Sequence, residues 1–438
     1  MMPLPPPSSA GLLRHLRLRS ATALVVANII GAGIFTTTGF QAADLGHPGY
    51  ILLLWIVGGV LALCGALCFA ELGAMMPEAG AEYVYLRETY GRALAFMSAF
   101  VSLTAGFSAP IASAAKSLIR YAGHFVPAFQ DDPLLLGVLH LDDLAAIGVV
   151  WLLVIVHLRG MRGGIGFNDL ITLFKATGIV AIILAALAIG AGSTANLTHV
   201  APTYETLSTL DKLTAFATSL IFVSFCYSGW NAAAYMAAEM REPQRDLPRS
   251  LLLGTGLVVL LYLGLNAVYF YGASVEELAG KVEVGLVASE KLFGPAGAAP
   301  VTVVLCLSIF ASASAMTIAG PRVYYAFGRD FAPLGWLARA DAKTGAPRSA
   351  LVLQGVATSI IIVSGRIDQI QQYAGFTLSL FACLAVSCVI VLRLRQPNAN
   401  RPFRAWGYPA TPLVFLAVTI WTMVISSSTR RILAIGES

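Results

Sequence analysis

Eleven apolar blocks, each long enough or nearly so to cross about 30 Å of hydrocarbon, recur along this chain of 438 residues. They run over about 20–46, 49–75, 91–121, 143–158, 165–191, 213–240, 249–273, 298–327, 349–364, 368–392 and 408–427. Water is absent from the bilayer core, so backbone N–H and C=O groups must be satisfied within each segment, and blocks of this length can only be helices. Charged residues are 12% of the chain and mean hydropathy is +0.77, whereas a soluble domain carries roughly 25% charged residues. The expected fold is an all-α polytopic membrane protein of about eleven spans, with no soluble domain.

Basic residues set the expected orientation. With the N-terminus and its Arg14, Arg17 and Arg19 inside, nineteen of the 28 Lys and Arg fall in inner loops and six outside. Lys116, Arg120 and Lys175 lie within apolar segments. The bias follows the positive-inside rule for an N-terminus in the cytoplasm. The net charge of +5 is therefore a topology signal, and no nucleic-acid partner is implied. All six cysteines sit in apolar segments and no CxxC occurs, so neither a disulfide nor a structural metal site is expected. Residues 1–19 open Pro/Ser-rich and read as a disordered cytoplasmic tail without a signal peptide. Lys116 and Arg120 are expected to snorkel; Glu71, Glu82 and Glu239, beside basic inner loops, are expected in structural ion pairs.

Two blocks carry a weak point. Block one reads NIIGAGIFTTTGF, with Gly31 and Gly33 about a dozen residues in; block six reads SLIFVSFCYSGWNAAAYMAAEM, with Ser228-Gly229 near its middle. Glycine costs about 1 kcal/mol against alanine in a helix interior, so both helices are expected to break at mid-membrane. Blocks 1–5 (20–191) and 6–10 (212–393) would then be two halves, each opening on a broken helix. Five spans per half is an odd number, so the second half lies inverted, and residues 394–438 add block eleven and a tail. Paired interrupted segments point to a transporter site near the bilayer midplane.

A break exposes backbone groups. The amides of Ala32, Gly33 and Ile34 would form a helix N-terminus, suited to a carboxylate. The carbonyls of Ile29, Phe225 and Ser228 would suit an ammonium group, and the two sets together fit the zwitterionic head of an α-amino acid. The three threonines, 36–38, can bond back to their own helix and restart it.

Six stretches in order along the chain carry a resemblance: IIGAGIF, AELGAMMPEAGAEYVYLRETYG, RGMRGGIGFNDLITLFK, YSGWNAAAYMAAEMREPQRDLPRS, GRDFAPLGWLARADAKTGAPRSAL and NRPFRAWGYP. The chain resembles the amino acid–polyamine–organocation superfamily of secondary transporters, and within it bacterial relatives of the L-type amino acid transporters. The resemblance implies a five-plus-five inverted-repeat fold and alternating access. It implies a substrate carboxylate on the amides of Ala32, Gly33 and Ile34, flanking Gly31, and an amino group on the carbonyls of Ile29, Phe225 and Ser228. Phe225 would be a lid. Ala32 departs from the serine many relatives carry there, which removes a hydroxyl but keeps the amide.

The resemblance also implies that Lys175 fills the place of a sodium ion, contacting carbonyls near Gly31 and hydroxyls such as Ser312 or Ser314. Two mechanisms stay open: a permanent cation supporting exchange, or a proton carrier. Asn231, beside Gly229, stands where several cation-transporting relatives are acidic, which favours neutral L-amino acids over cationic amino acids or polyamines. A non-transporting amino-acid sensor would share the pocket. Enzyme chemistry is not expected: no HExxH or GxSxG motif occurs and no cofactor is implied. The resemblance implies a twelfth helix after block eleven; the sequence stops at STRRILAIGES, which reads as the approach to that helix, and truncation or an eleven-span protein both stay open. Some relatives link to a glycoprotein subunit through an outer-loop cysteine; the loop at 123–142 has none, so no such partner is expected.

Overall fold

The computed structural model describes residues 16–78, 80–131, 134–135, 139–159, 164–339 and 347–436; the expected tail at 1–15 lies outside them. The protein is a multi-pass all-helical membrane protein. The apolar blocks form eleven helical spans, ten of them long and apolar enough to cross a membrane, while the ninth, Arg348–Ser364, is shorter at 17 residues. A two-residue antiparallel pair, Leu134–Leu135 with Leu139–His140, sits in the loop between spans 3 and 4.

Span 1 is two helices, Leu18–Ile29 and Ala32–Leu45, separated by Ile30 and Gly31. Span 6 is likewise Thr209–Tyr227 and then Ala232–Tyr235, with Ser228 to Asn231 between them. The two breaks rest on each other, and glycine is what lets them. Gly229 has φ +97°, and a Cβ there would stand 3.0 Å from the Asn28 carbonyl. At Gly33 a Cβ would stand 2.6 Å from Cys226 Sγ.

Span 3, Arg92–Ala122, contains a wide-turn stretch at Ser102–Ser108. Pro110 follows it, lacking the N–H that would have bonded the carbonyl four residues earlier. Span 8 belongs to Val284–Asp330, which Gly294 divides with φ +72°.

Leu16 leads into span 1, whose helix starts at Leu18. Leu16 N–H donates to the Glu239 carbonyl (3.0 Å), and Arg241 N–H donates to that of Leu16 (3.1 Å). This bridge ties the entry of span 1 to the exit of span 6, and Glu239 also pairs with Arg322 at 3.4 Å. On the opposite face Gly280 N–H donates to the Gly39 carbonyl at 2.8 Å.

Glu71 is held by Arg393 (2.6 Å), by Arg401 (3.3 Å) and by the Ala405 amide (2.7 Å). This cluster joins span 2, the end of span 10 and the approach to span 11. Lys116 does not snorkel: it is buried, pairs with Asp143 of span 4 and donates to the Ile362 carbonyl of span 9. A carboxylate within reach removes the reason to seek the interface. Glu82 differs too, since no basic side chain pairs with it among the described residues.

Candidate functional site

Both breaks open onto one small buried cavity. Its walls include Ile29, Gly31, Ala32 and Gly33 from span 1 and Phe225 and Ser228 from span 6. Asn28, Cys226, Pro110, Ala114, Ser312 and Met316 complete the lining. The helix starting at Ala32 has Gly31 as its N-cap, and no side chain caps it. A helix N-terminus leaves its first N–H groups without intrahelical partners, and Ala32 and Gly33, which begin this helix, line the cavity. Ile34 is fully buried in that first turn.

The acceptor side is more occupied than the sequence suggests. Tyr262 of span 7 donates its hydroxyl to the Ile29 carbonyl at 2.6 Å and lies 3.2 Å from that of Cys226. The Phe225 carbonyl accepts the Ser228 N–H at 3.0 Å. Each carbonyl oxygen has a second lone pair, so both can still accept a ligand proton. Tyr262 pins the two helix ends that frame the site, a role the sequence did not announce.

Lys175 of span 5, Gly164–Ile189, is 1% exposed. Its Nζ donates to the carbonyls of Ala27 (3.1 Å) and Ile30, the last turn before the break. A cation there satisfies carbonyls that a broken helix leaves without partners. Ser312 Oγ is buried with no hydrogen-bond partner, and a Cβ on Gly31 would come within 2.9 Å of it. Ser314 lies elsewhere: its hydroxyl pairs with His157 Nε2 at 3.0 Å.

The threonines do more than restart the helix. Thr36 donates back to the Ala32 carbonyl at 3.2 Å and accepts from Gln371 Nε2 at 2.9 Å. Thr37 donates to Gln371 Oε1 at 3.2 Å, and Thr38 to Asn266 Oδ1 at 2.6 Å. Span 1 beyond the break is thus tied to spans 10 and 7.

A larger cavity adjoins the first and shares Asn28, Ser228 and Met316 with it. Gly229 and Asn231 line this second space, with Ser102 and Gly106 from the wide-turn stretch of span 3. Asn231 Nδ2 donates to the Tyr235 hydroxyl at 3.1 Å.

A site built from opened backbone, with the Lys175 amino group beside it, suits a small zwitterion. The sequence profile of the amino acid permease family matches residues 16–432. The chain belongs to that family. It is 28% identical over 402 residues to the human b(0,+)-type amino acid transporter 1, covering 91% of this chain and 80% of that protein. It is also 28% identical over 418 residues to the human large neutral amino acids transporter small subunit 2, covering 95% and 76%. This permease is therefore an amino acid transporter of the amino acid–polyamine–organocation superfamily, related to the L-type transporters, and not an enzyme.

Proposed function

We propose that the permease moves neutral L-amino acids across the cytoplasmic membrane by sodium-independent alternating access, with its N-terminus in the cytoplasm. The observation that carries this reading is the small cavity where the breaks of spans 1 and 6 meet. In it the amides of Ala32, Gly33 and Ile34 take the substrate carboxylate. The carbonyls of Ile29, Phe225 and Ser228 take its ammonium, Gly31 and Gly229 leave the backbone room to open, and Phe225 covers the substrate.

Lys175 supports sodium independence, since its ammonium already occupies the carbonyls of Ala27 and Ile30. Asn231, a neutral amide, supports a neutral substrate side chain. Residues 20–191 and 212–393 form the two inverted repeats, whose relative rocking exposes the site to one face and then the other. No disulfide-linked subunit is invoked, because all six cysteines lie within helices.

Counterflow into proteoliposomes tests this. Labelled neutral amino acid should accumulate only in vesicles preloaded with unlabelled neutral amino acid or given a proton gradient, and equally well with choline replacing sodium. Uptake confined to arginine or lysine would overturn the substrate assignment, and binding without flux would make the protein a sensor.

A further inference from the structure

The strongest group left unused is Glu82. It lies just after span 2, at the start of the helix Glu82–Tyr90, and only 4% of it is exposed. It nevertheless lines the larger cavity, together with Ser102, Asn231 and Tyr235. A buried carboxylate is ordinarily paired with a cation or neutralised by a proton. Ser98 donates its hydroxyl to Glu82 Oε1 at 3.2 Å, and Tyr235 lines the same cavity.

The other titratable groups facing it are Tyr85 on its own helix and Cys388 on span 10, with Tyr324 of span 8 behind Tyr235. Tyrosine and cysteine are uncharged side chains near pH 7 in their ordinary state. Arg87, one turn along the same helix, is turned to Asp330 (2.8 Å) and Glu78 (3.2 Å). Burial accordingly pushes the Glu82 carboxyl up to about 7.

Position gives this group a use. Asn231 donates to Tyr235, and Asn231, Tyr235 and Glu82 all line the larger cavity that adjoins the substrate site, so the carboxyl shares one polar wall with them. Ionised, Glu82 can only accept; protonated, it can also donate. Tyr235 belongs to the short helix after the span 6 break, and its exit is bridged to Leu16 at the entry of span 1. Movement of these bridged segments away from Glu82–Tyr90 would admit water to the carboxyl.

We propose that Glu82 is the proton-binding site that couples this permease to a proton gradient: it holds a proton while sealed beside the cavity and releases it when the N-terminal face opens. The inference rests on the transporter reading above. The proton arrives on a carboxylate oxygen from water on one side and leaves to water on the other, with no other reactant.

The test uses purified full-length protein in proteoliposomes loaded with a pH dye. Wild type should accumulate labelled neutral amino acid against its gradient when the other compartment is made acidic. The lumenal pH should change in step with that flux, and counterflow should change about threefold or more between pH 5.5 and 8, since a group near 7 goes from mostly protonated to mostly ionised over that span. E82Q should lose gradient-driven accumulation, and its counterflow should lose the pH dependence. Gradient-driven accumulation by wild type without any pH change in the lumen would overturn the proton proposal while leaving the transporter reading intact. E82Q accumulation equal to wild type would do the same. Absence of counterflow in wild type would instead overturn the transporter reading. If E82Q misfolds, the wild-type dye measurement still tests the proton coupling, and E82D, which keeps the carboxyl, should retain it; loss in E82D as well would overturn the assignment.

Discussion

Gly33 shows how tightly single residues hold the site. Its absent side chain leaves room for Cys226, since a Cβ would stand 2.6 Å from Sγ and 3.1 Å from Cys226 Cα. Gly33→Ala should weaken substrate binding by tenfold or more, about 1.4 kcal/mol, by pushing span 6 off the amides. Adding Cys226→Ala removes the sulfur and should restore part of the affinity, measured by tryptophan fluorescence or scintillation proximity; no recovery would place the effect at the amides themselves. Lys175 acts by charge. Lys175→Ala leaves the Ala27 and Ile30 carbonyls without their donor, and transport at equal density in vesicles should fall more than about tenfold, since an unsatisfied buried acceptor costs about 1–3 kcal/mol. Wild-type uptake would refute the role. Tyr262→Phe removes the hydroxyl between the Ile29 and Cys226 carbonyls and should cost about 1 kcal/mol, seen as a lower unfolding midpoint in detergent.

Which helices break was legible because glycines at 31, 33 and 229 and Ser228 interrupt apolar runs that propensity would otherwise carry through. Other features could not be read from the string. The wide-turn stretch Ser102–Ser108 follows from Pro110 only once the register is known. The pairing of Lys116 with Asp143 joins spans 3 and 4, and the isolation of Glu82 depends on Arg87 turning to Asp330; both need the tertiary packing of separate spans. Tyr262 looked like one aromatic residue among many until its hydroxyl met both helix ends. At this scale the clearest stability prediction concerns Glu71, which ties three elements through Arg393, Arg401 and the Ala405 amide. Glu71→Ala strands buried cations and should cost about 3–5 kcal/mol, lowering monodisperse yield and unfolding temperature. An unchanged melting curve would show the cluster to be dispensable.

Across the described residues, eleven spans include two, spans 1 and 6, whose helices are interrupted. The bridge from Leu16 to Glu239 and Arg241 closes one face, and the contact from Gly280 to Gly39 closes the other. Between them lies a cavity lined by the opened backbone of both breaks together with the side chains of Asn28, Ser228 and Ser312. The central claim is that an amino acid binds where the two breaks meet, and a structure of the purified permease with a bound neutral L-amino acid tests it most directly. The account predicts carboxylate oxygens about 3 Å from the amides of Ala32, Gly33 and Ile34, ordinary hydrogen-bond distances, with the ammonium on the side of Ile29, Phe225 and Ser228. A substrate found in the larger cavity with these amides untouched, or bound against Lys175 in place of its carbonyl partners, would contradict it.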